Sequence, residues 1–540
     1  MLLDIRPDQL QMVLAILQKH VAQYEVWGFG SRAKWTAKDY SDLDLCVVSD
    51  KPLSFSLLGA LAEDFSDSDL PWKVDVVDWA TTSESFRKII KRDKVVVQTG
   101  SVAIEWKETV LGELIKTGNA HLQTGPFGTA LKAAEYSAEG VPLISVGEVR
   151  QGYFEVSDKT PRISEETTKR LPQFILETGD IVFGRKGGID RNAIIQPQQR
   201  GWFLGSDGIR LRLSKKYNSL FFSYQMRSPS TRAWLLQHCE GTTMPSLNQQ
   251  ILGRVPIVLP PLSEQKAIAH ILGTLDDKIE LNRRMNETLE AIAQALFKSW
   301  FVDFEPVRAK MSGEPSASIC QRLGLTPELL ALFPERLVDS ELGEVPDGWE
   351  VKPLDEIADY LNGLALQKFP PESDLDYLPV IKIAQLKKGD TLGADRASCK
   401  LKPEYIVNDG DVLFSWSGSL AVDVWCGGPG ALNQHLFKVT SADYPKWLYL
   451  YWTKHHLAHF QAIAAGKAVT MGHIQRKHLT EALCVMPPPD LVKLLDGVMS
   501  PFLATQIENR KGTRTLSILR DTLLPKLLSG ELRVLIEGEA

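Results

Sequence analysis

The chain has 540 residues, 44% hydrophobic and 24% charged, an ordinary globular composition long enough for two to four domains. Its net charge of −6 excludes a generic polyanion binder, though not DNA binding through local charge or a partner's charge. Six scattered cysteines without a Cys-x-x-Cys pair argue for free thiols in a reducing cytoplasm and against a zinc site or disulfide frame. No apolar run reaches membrane-spanning length, and MLLDIRPDQLQ lacks the basic start and apolar run of a secretory signal, so a cytoplasmic protein without a membrane partner is expected.

In chain order, a helix is expected over Pro7–Val21, then a strand, Glu25–Phe29, ending on Gly30-Ser31. The run SDLDLCVV forms a second strand carrying Asp42 and Asp44, which at i and i+2 share one face. Two such carboxylates suit one or two Mg²⁺ ions, which in turn hold nucleotide phosphates. Gly30-Ser31 lets backbone amides and a hydroxyl approach a triphosphate closely. Asp75, in the later strand WKVDVVDW, is placed to complete the metal site.

The pattern G-S-x10-D-x-D with a later Asp, over residues 8–98, resembles the minimal nucleotidyltransferase family of the polymerase-β-like superfamily. The resemblance implies Asp42, Asp44 and Asp75 as catalytic carboxylates, Asp42 and Asp44 as Mg²⁺ ligands, and Gly30 and Ser31 at the phosphates of ATP. It also implies transfer of a nucleotide such as AMP to a protein partner, as in antitoxins that adenylylate a toxin. Lys34-Trp35 departs from the small residue many relatives carry there.

From about Ser101 the chain repeats itself at an offset of roughly 225 to 231 residues. GDIVFGRKG (Gly179–Gly187) is answered by GDVLFSWSG (Gly410–Gly418), and EGTTMPSLNQQILGRVPIVLPP (Glu240–Pro261) by AGKAVTMGHIQRKHLTEALCVMPPP (Ala465–Pro489). ELNRRMNETL (Glu280–Leu289) is answered by IENRKGTRTL (Ile507–Leu516), so each unit is a strand-rich domain followed by a long helix. Between Ser101 and Leu262 there are 19 Lys+Arg against 15 Asp+Glu, a local excess of positive charge. Arg185, Lys186, Arg191, Arg210 and Arg212 crowd the middle of this domain, and Arg is best shaped for bidentate contact with guanine. Thr242, Thr243, Ser246 and Asn248 present small polar groups able to bond phosphates or base edges. The second domain offers Trp416 and Ser417 at the matching loop.

Between the repeats, apolar residues recur every three or four positions (Ile268, Ile271/Leu272, Leu275, Ile279, Met285, Leu289, Ile292, Leu296), which predicts one long helix with a narrow apolar seam. Asn282 falls in that seam, where a polar residue fixes register. Phe297, Trp300, Phe301 and Phe304 at its end are expected to pack rather than bind a cofactor.

GPFGTAL, GDIVFGRKG, GTTMPSLN, the segment from PPLSEQKAIAHIL to DFEPVRAK and LLPKLLSGEL resemble the specificity subunit of type I restriction–modification systems across nearly all of 101–535. The expected fold class is α+β and multidomain, with an N-terminal α/β nucleotidyltransferase-like domain and two strand-rich target-recognition domains separated by long helices that pair antiparallel. The expected divisions are 1–100 nucleotidyltransferase-like, 101–262 first recognition domain, 263–305 central helix, 306–343 linker, 344–489 second recognition domain and 490–535 C-terminal helix. The resemblance implies reading of a bipartite site in double-stranded DNA, with the helices as a ruler and as the dock for two modification (methyltransferase) subunits, and restriction (motor-nuclease) subunits completing the complex. It further implies that the subunit catalyses nothing and needs no cofactor for specificity, S-adenosylmethionine being bound by the modification partner. The competing reading is an enzyme that transfers AMP through the N-terminal domain, using Mg²⁺ and ATP.

Overall fold

In the computed structural model, which describes residues 3–38, 40–99, 106–241, 244–466 and 472–534, the chain falls into two units. One spans Met1–Lys116 with Gly253–Leu262, the other Thr117–Leu252 with Ser263–Ala540.

The first unit follows the alternation of its sequence. It runs α1 (Pro7–Val21), β1 (Glu25–Phe29), α2 (Gly30–Ala33), β2 (Leu43–Val48), α3 (Phe55–Ser66), β3 (Val74–Asp78), α4 (Glu84–Asp93) and β4 (Val95–Gln98), the strands lying in the order β3-β2-β1-β4. Val13, Leu17 and Val21 of α1 and Leu61 and Phe65 of α3 cover Val26, Leu43, Leu45 and Val47. Each such side chain contributes about 1.5–3 kcal/mol by leaving water. Ser54 and Ser83 accept from the N–H groups of Leu57 and Phe86, so both α3 and α4 begin on side-chain caps. In the same unit, Lys107–Val110 pairs antiparallel with Pro256–Leu259.

The second unit shows the internal repeat as structure. In the first half, strands Asn192–Ile194, Ile181–Gly184, Gly208–Leu213 and Ala120–Thr124 lie side by side in that order. In the second, Ala421–Val424, Val412–Ser415, Leu436–Thr440 and Asp359–Asn362 do the same. Each half also has one parallel pair, Val141–Ile144 with Phe203–Leu204 and Leu378–Ile381 with Gly430–Leu432. The turn residue before each central strand is a glycine at positive φ, Gly179 at 91° and Gly410 at 93°, a conformation that costs other residues energy.

The central helix runs Leu262–Phe297 and continues as a π-helical turn, Lys298–Val302. The C-terminal helix runs Pro489–Ser529. Their contacts run in opposite senses along the two chains: Glu264 pairs with Arg533 (2.7 Å), Asp276 with Arg520 (2.8 Å), and Asn282 donates to the backbone oxygen of Asn509 (3.4 Å). Asn286 in turn donates to the oxygen of Gln506 at 3.0 Å, so the helices are antiparallel, as the resemblance implies. The seam differs from the apolar stripe read from the sequence. Ile292 is exposed, and the middle of the contact is polar. Asn282 donates to Thr513 (3.4 Å), while Asn509 donates to Asn286 (2.9 Å). At an offset of 227 Asn282 corresponds to Asn509 and Asn286 to Thr513, so the two bonds exchange under the repeat. Such a polar layer stabilises less than leucines would, and it penalises any slipped register.

Past the seam, Phe297, Trp300, Phe301 and Phe304 are buried with Trp349, Trp447 and Trp452 in one core that ties the central helix to the second domain. Each domain also fastens a helix to the central helix by a tyrosine and a cation. In the first, helix Ser219–Arg227 brings Tyr224, whose hydroxyl donates to Asp276 at 2.7 Å, and Arg227, 3.6 Å from the same oxygen. In the second, helix Lys446–Ala465 brings Tyr451, donating to Glu290 at 3.0 Å, and Lys454 at 2.5 Å. Burial pushes the Glu290 carboxyl up, but the Lys454 charge and hydrogen bonds from Lys454, Gln294 and Tyr451 outweigh it and hold it below the usual glutamate range. A depressed acid stabilises the fold above its unfolded value, near ~4.3, and that contribution is lost as pH falls through the folded value. Thermal melts from pH 7 to pH 3 are therefore expected to be less steep in acid for Glu290→Gln than for the wild type.

Candidate nucleic-acid interface and nucleotide site

In the first strand-rich domain the loop after Ile181–Gly184 is closed by the Gly184 N–H donating to Arg191 O (3.2 Å), which puts Arg185, Lys186 and Arg191 on one loop. That loop is clasped by a second. The Leu247 N–H donates to Arg185 O (2.8 Å) and the Gly187 N–H to Pro245 O (2.9 Å). Arg185, Lys186, Arg191, Ser246 and Asn248 are thus gathered at one end of the four-stranded sheet; Thr242 and Thr243 lie outside the described residues.

Their side chains are not equally free. Arg191 is exposed, Lys186 forms a half-exposed ion pair with Asp207 at 3.5 Å, and Arg185 lies 6.0 Å from the exposed ring of Phe127. Asn248 is occupied: its oxygen accepts from the Ile251 N–H (2.8 Å) and its amide donates to Glu240 (2.9 Å). The Ser246 hydroxyl donates to Glu240 O at 3.3 Å. Arg210 and Arg212 point elsewhere. Arg210 is buried and donates to Gln173 O (3.0 Å), while Arg212 makes two 2.7 Å bonds to Asp180. Both hold the domain together, and the local positive charge available at the loop is smaller than the arginine count suggests.

The second domain repeats the clasp. The Ile474 N–H donates to Trp416 O (3.0 Å) and the Gly418 N–H to Gly472 O (2.7 Å), the counterparts of the two bonds in the first domain. Trp416 is half-buried, its indole N–H donating to Asn362 (2.9 Å) and its ring 5.9 Å from His435. Ser417 turns inward, 3% exposed, with its hydroxyl 2.9 Å from His435 Nδ1. Asn362 and His435 carry no pattern in the sequence and become visible only as neighbours of the clasped loops, while Phe127 belongs to the phrase GPFGTAL, which does not show that it meets Arg185.

In the first unit, β2 and β3 are parallel and place Asp44 directly beside Asp75; β2 begins at Leu43, so Asp42 lies just ahead of the strand rather than in it, close enough for its charge to act on Asp44. Burial, then the charges of Asp75 and Asp42, push the Asp44 carboxyl above its ordinary range. This crowding of hard oxygen donors fits a divalent cation, whose charge would relieve it. Lys73 neutralises Asp75 in part, at 2.5 Å. The strand's other carboxylate, Asp78, is buried and structural, accepting from Ser49 (2.5 Å) and the Leu53 N–H (2.9 Å). Arg32 clamps the approach to Asp42 by donating to Ser41 O (2.7 Å) and Asp4 O (2.9 Å) while stacking 4.5 Å over Trp72.

Gly30 sits at φ 76° with its Cα facing Asp44, and a methyl group there would land on the Asp44 carboxylate. Ser31 follows in the same turn, half-buried. Gly30→Ala is expected to cost at least about 1 kcal/mol from the backbone alone and to abolish any nucleotide transfer, as melting curves and a labelled-ATP assay would show.

Comparison with known proteins finds relatives for both parts of the chain. A family model described as "Type I restriction modification DNA specificity domain" matches residues 103–291 and 346–490, more than half the chain, and "Polymerase beta, Nucleotidyltransferase" matches 11–101. The chain is 24% identical over 457 residues to the type I restriction enzyme MjaIX specificity subunit of Methanocaldococcus jannaschii, covering 80% of this chain and 97% of that one. Over 109 residues, 20% of this chain and 95% of the other, it is 53% identical to the probable protein adenylyltransferase MntA of Haemophilus influenzae. The crystal structure of a type I restriction–modification S subunit from M. genitalium is 14% identical, with 79% of this chain and 96% of that one covered at a TM-score of 0.48. Two clasped strand-rich domains on an antiparallel helix pair, matched over both repeats, place this chain in the type I restriction–modification DNA specificity family, as a specificity subunit with a polymerase-β-type nucleotidyltransferase domain at its N-terminal end.

Proposed function

We propose that each strand-rich domain reads one part of a bipartite site in double-stranded DNA, with the helix pair fixing the distance between them. The observation that carries this is the duplicated clasp: equivalent loops, 185–187 with 245–247 and 416–418 with 472–474, closed by equivalent bonds. Two like surfaces held by a stiff rod engage two separated major-groove patches. Arg185, Lys186 and Arg191, with Thr242, Thr243, Ser246 and Asn248, serve the first patch; Trp416 and Ser417 frame the second. The outer faces of the helices, including exposed Leu281 and Ile292, suit the docking of two modification subunits, which bind S-adenosylmethionine, and restriction subunits complete the assembly. A chain of net charge −6 relies on those partners for much of its phosphate contact. Purified with its modification subunits, the protein is expected to methylate one two-part sequence and protect it from cleavage. Methylation without sequence preference would sink the proposal.

A second reading is favoured by the Asp44–Asp75 pairing and by 53% identity to a probable protein adenylyltransferase. In it the N-terminal domain transfers AMP from ATP to a protein partner. Asp42 and Asp44, with Asp75, would hold Mg²⁺, and Gly30 and Ser31 would meet the phosphates. Bound there, the ion would neutralise phosphate charge. The chain's part is to hold three carboxylates close together and keep a glycine's open approach beside them. Incubation with labelled ATP, Mg²⁺ and candidate partners is the test; equal labelling by an Asp42→Ala/Asp44→Ala variant would remove these residues from the reaction.

A further inference from the structure

Both recognition domains are fastened to the same helix. Asp276 and Glu290 lie fourteen residues apart on the central helix, about 21 Å at 1.5 Å per residue. Each receives a tyrosine hydroxyl and a cation three residues further along the domain's docking helix, and at an offset of 227 Tyr224 corresponds to Tyr451 and Arg227 to Lys454. Tyr224 and Tyr451 are almost fully buried, so these bonds are shielded from water. At the first joint Arg520 of the C-terminal helix donates to the other oxygen of Asp276 (2.8 Å), so one carboxylate gathers the domain and both helices.

The two joints are not equally braced. The second domain has further ties to the C-terminal helix: Arg510 donates to Asp423 (3.0 Å) and Val424 O (2.8 Å), and Arg514 to Asp409 (2.7 Å) and Cys426 O (2.7 Å). The repeat counterpart of Arg510 is Arg283, which donates instead to Glu280 of its own helix at 2.8 Å. On the first domain's docking helix, contact continues in one line, with the Asn218 N–H donating to Gln265 (2.9 Å) and Leu220 packed on Gly273. Asp276 closes that line at its far end.

We infer that Asp276 and Glu290, gripped by Tyr224–Arg227 and Tyr451–Lys454, are positioning residues that set the spacing and phase between the recognition domains, with Asp276 the more consequential. The inference rests on the half-site reading proposed above. Helix length alone sets how far apart the domains can be. These joints set the angle each domain makes with the rod, and an angular swing at a joint changes which base pairs each domain can reach without altering what it recognises.

The test is to map methylated sites across the genome of cells carrying the full system, with the wild type, Asp276→Asn, Tyr224→Phe and Glu290→Gln. Asp276→Asn and Tyr224→Phe are expected to keep both half-sites and to raise the occupancy of sites with a gap one base pair longer or shorter about tenfold, since a hydrogen bond to a charged group is lost. Glu290→Gln is expected to change it at most about threefold, because Arg510 and Arg514 still hold the second domain. A merely structural role would lower methylation evenly at all gaps. That even loss, or an unchanged single gap in both first-joint variants, overturns the inference. A wild-type pattern without any two-part motif would sink the half-site reading, and the inference with it.

Discussion

Removing one facing turn from each long helix, residues 277–280 and 516–519, is expected to move methylation to sites whose gap is about two base pairs shorter. Four residues at 1.5 Å bring the domains about 6 Å closer, and base pairs are stacked ~3.4 Å apart. The deletion has to be paired. The polar layer of Asn282, Asn286, Asn509 and Thr513 matches one helix to the other, and a single-sided cut would set those amides against apolar neighbours. At the original gap one half-site is then out of reach, which removes several base contacts at about 1–3 kcal/mol each and lowers occupancy by at least ~100-fold. Methylation-site mapping reads both changes at once. Retention of the wild-type gap would mean that the helices do not span between the readers.

Trp300→Ala is expected to destabilise the second unit by about 3–5 kcal/mol. Trp300 is 0% exposed at the point where the central helix turns π-helical, in the core shared by Phe297, Phe301, Trp349 and Trp447. No smaller side chain can fill that volume without moving either the helix end or the second domain. Its indole N–H has no acceptor among the described residues, so Trp300→Phe gives up little hydrogen bonding and is expected to cost far less. Denaturant unfolding followed by fluorescence separates the two variants. Equal losses for both would contradict a contribution that scales with the buried volume of the side chain.

Period and spacing made the backbone legible. The helix Pro7–Val21 and the strand Glu25–Phe29 lie where the sequence places them, because their apolar residues fall on one face at the helical or strand repeat. The duplicated phrases likewise pointed to two like domains, since the same residues at two places fold by the same rules. Side-chain direction was harder to read. Ile292 obeys the seam spacing yet is exposed, because the helices meet on a face centred on Asn282 and Asn286, and only the partner helix decides which face that is. Arg210 and Arg212 look like a basic patch in one dimension, but their strand lies against Gln173 and Asp180, whose approach depends on a distant pairing. Ser417 shares a loop with half-buried Trp416 yet is itself buried, its hydroxyl held against His435. The joints at Asp276 and Glu290 were within reach, since the offset of 227 aligns Tyr224 with Tyr451; what the sequence does not show is which carboxylate each tyrosine meets.

The division of labour between the domains is tested most directly by changing one reader and leaving the other alone. The measurement is the methylated motif of an Arg185→Ala/Lys186→Ala/Arg191→Ala variant, assembled with its modification subunits and read on random-sequence DNA. The expected result is a motif degenerate in one half, with the other half and the gap intact. A motif that loosens in both halves, or one unchanged in either, would contradict the claim that each strand-rich domain reads its own part of the site.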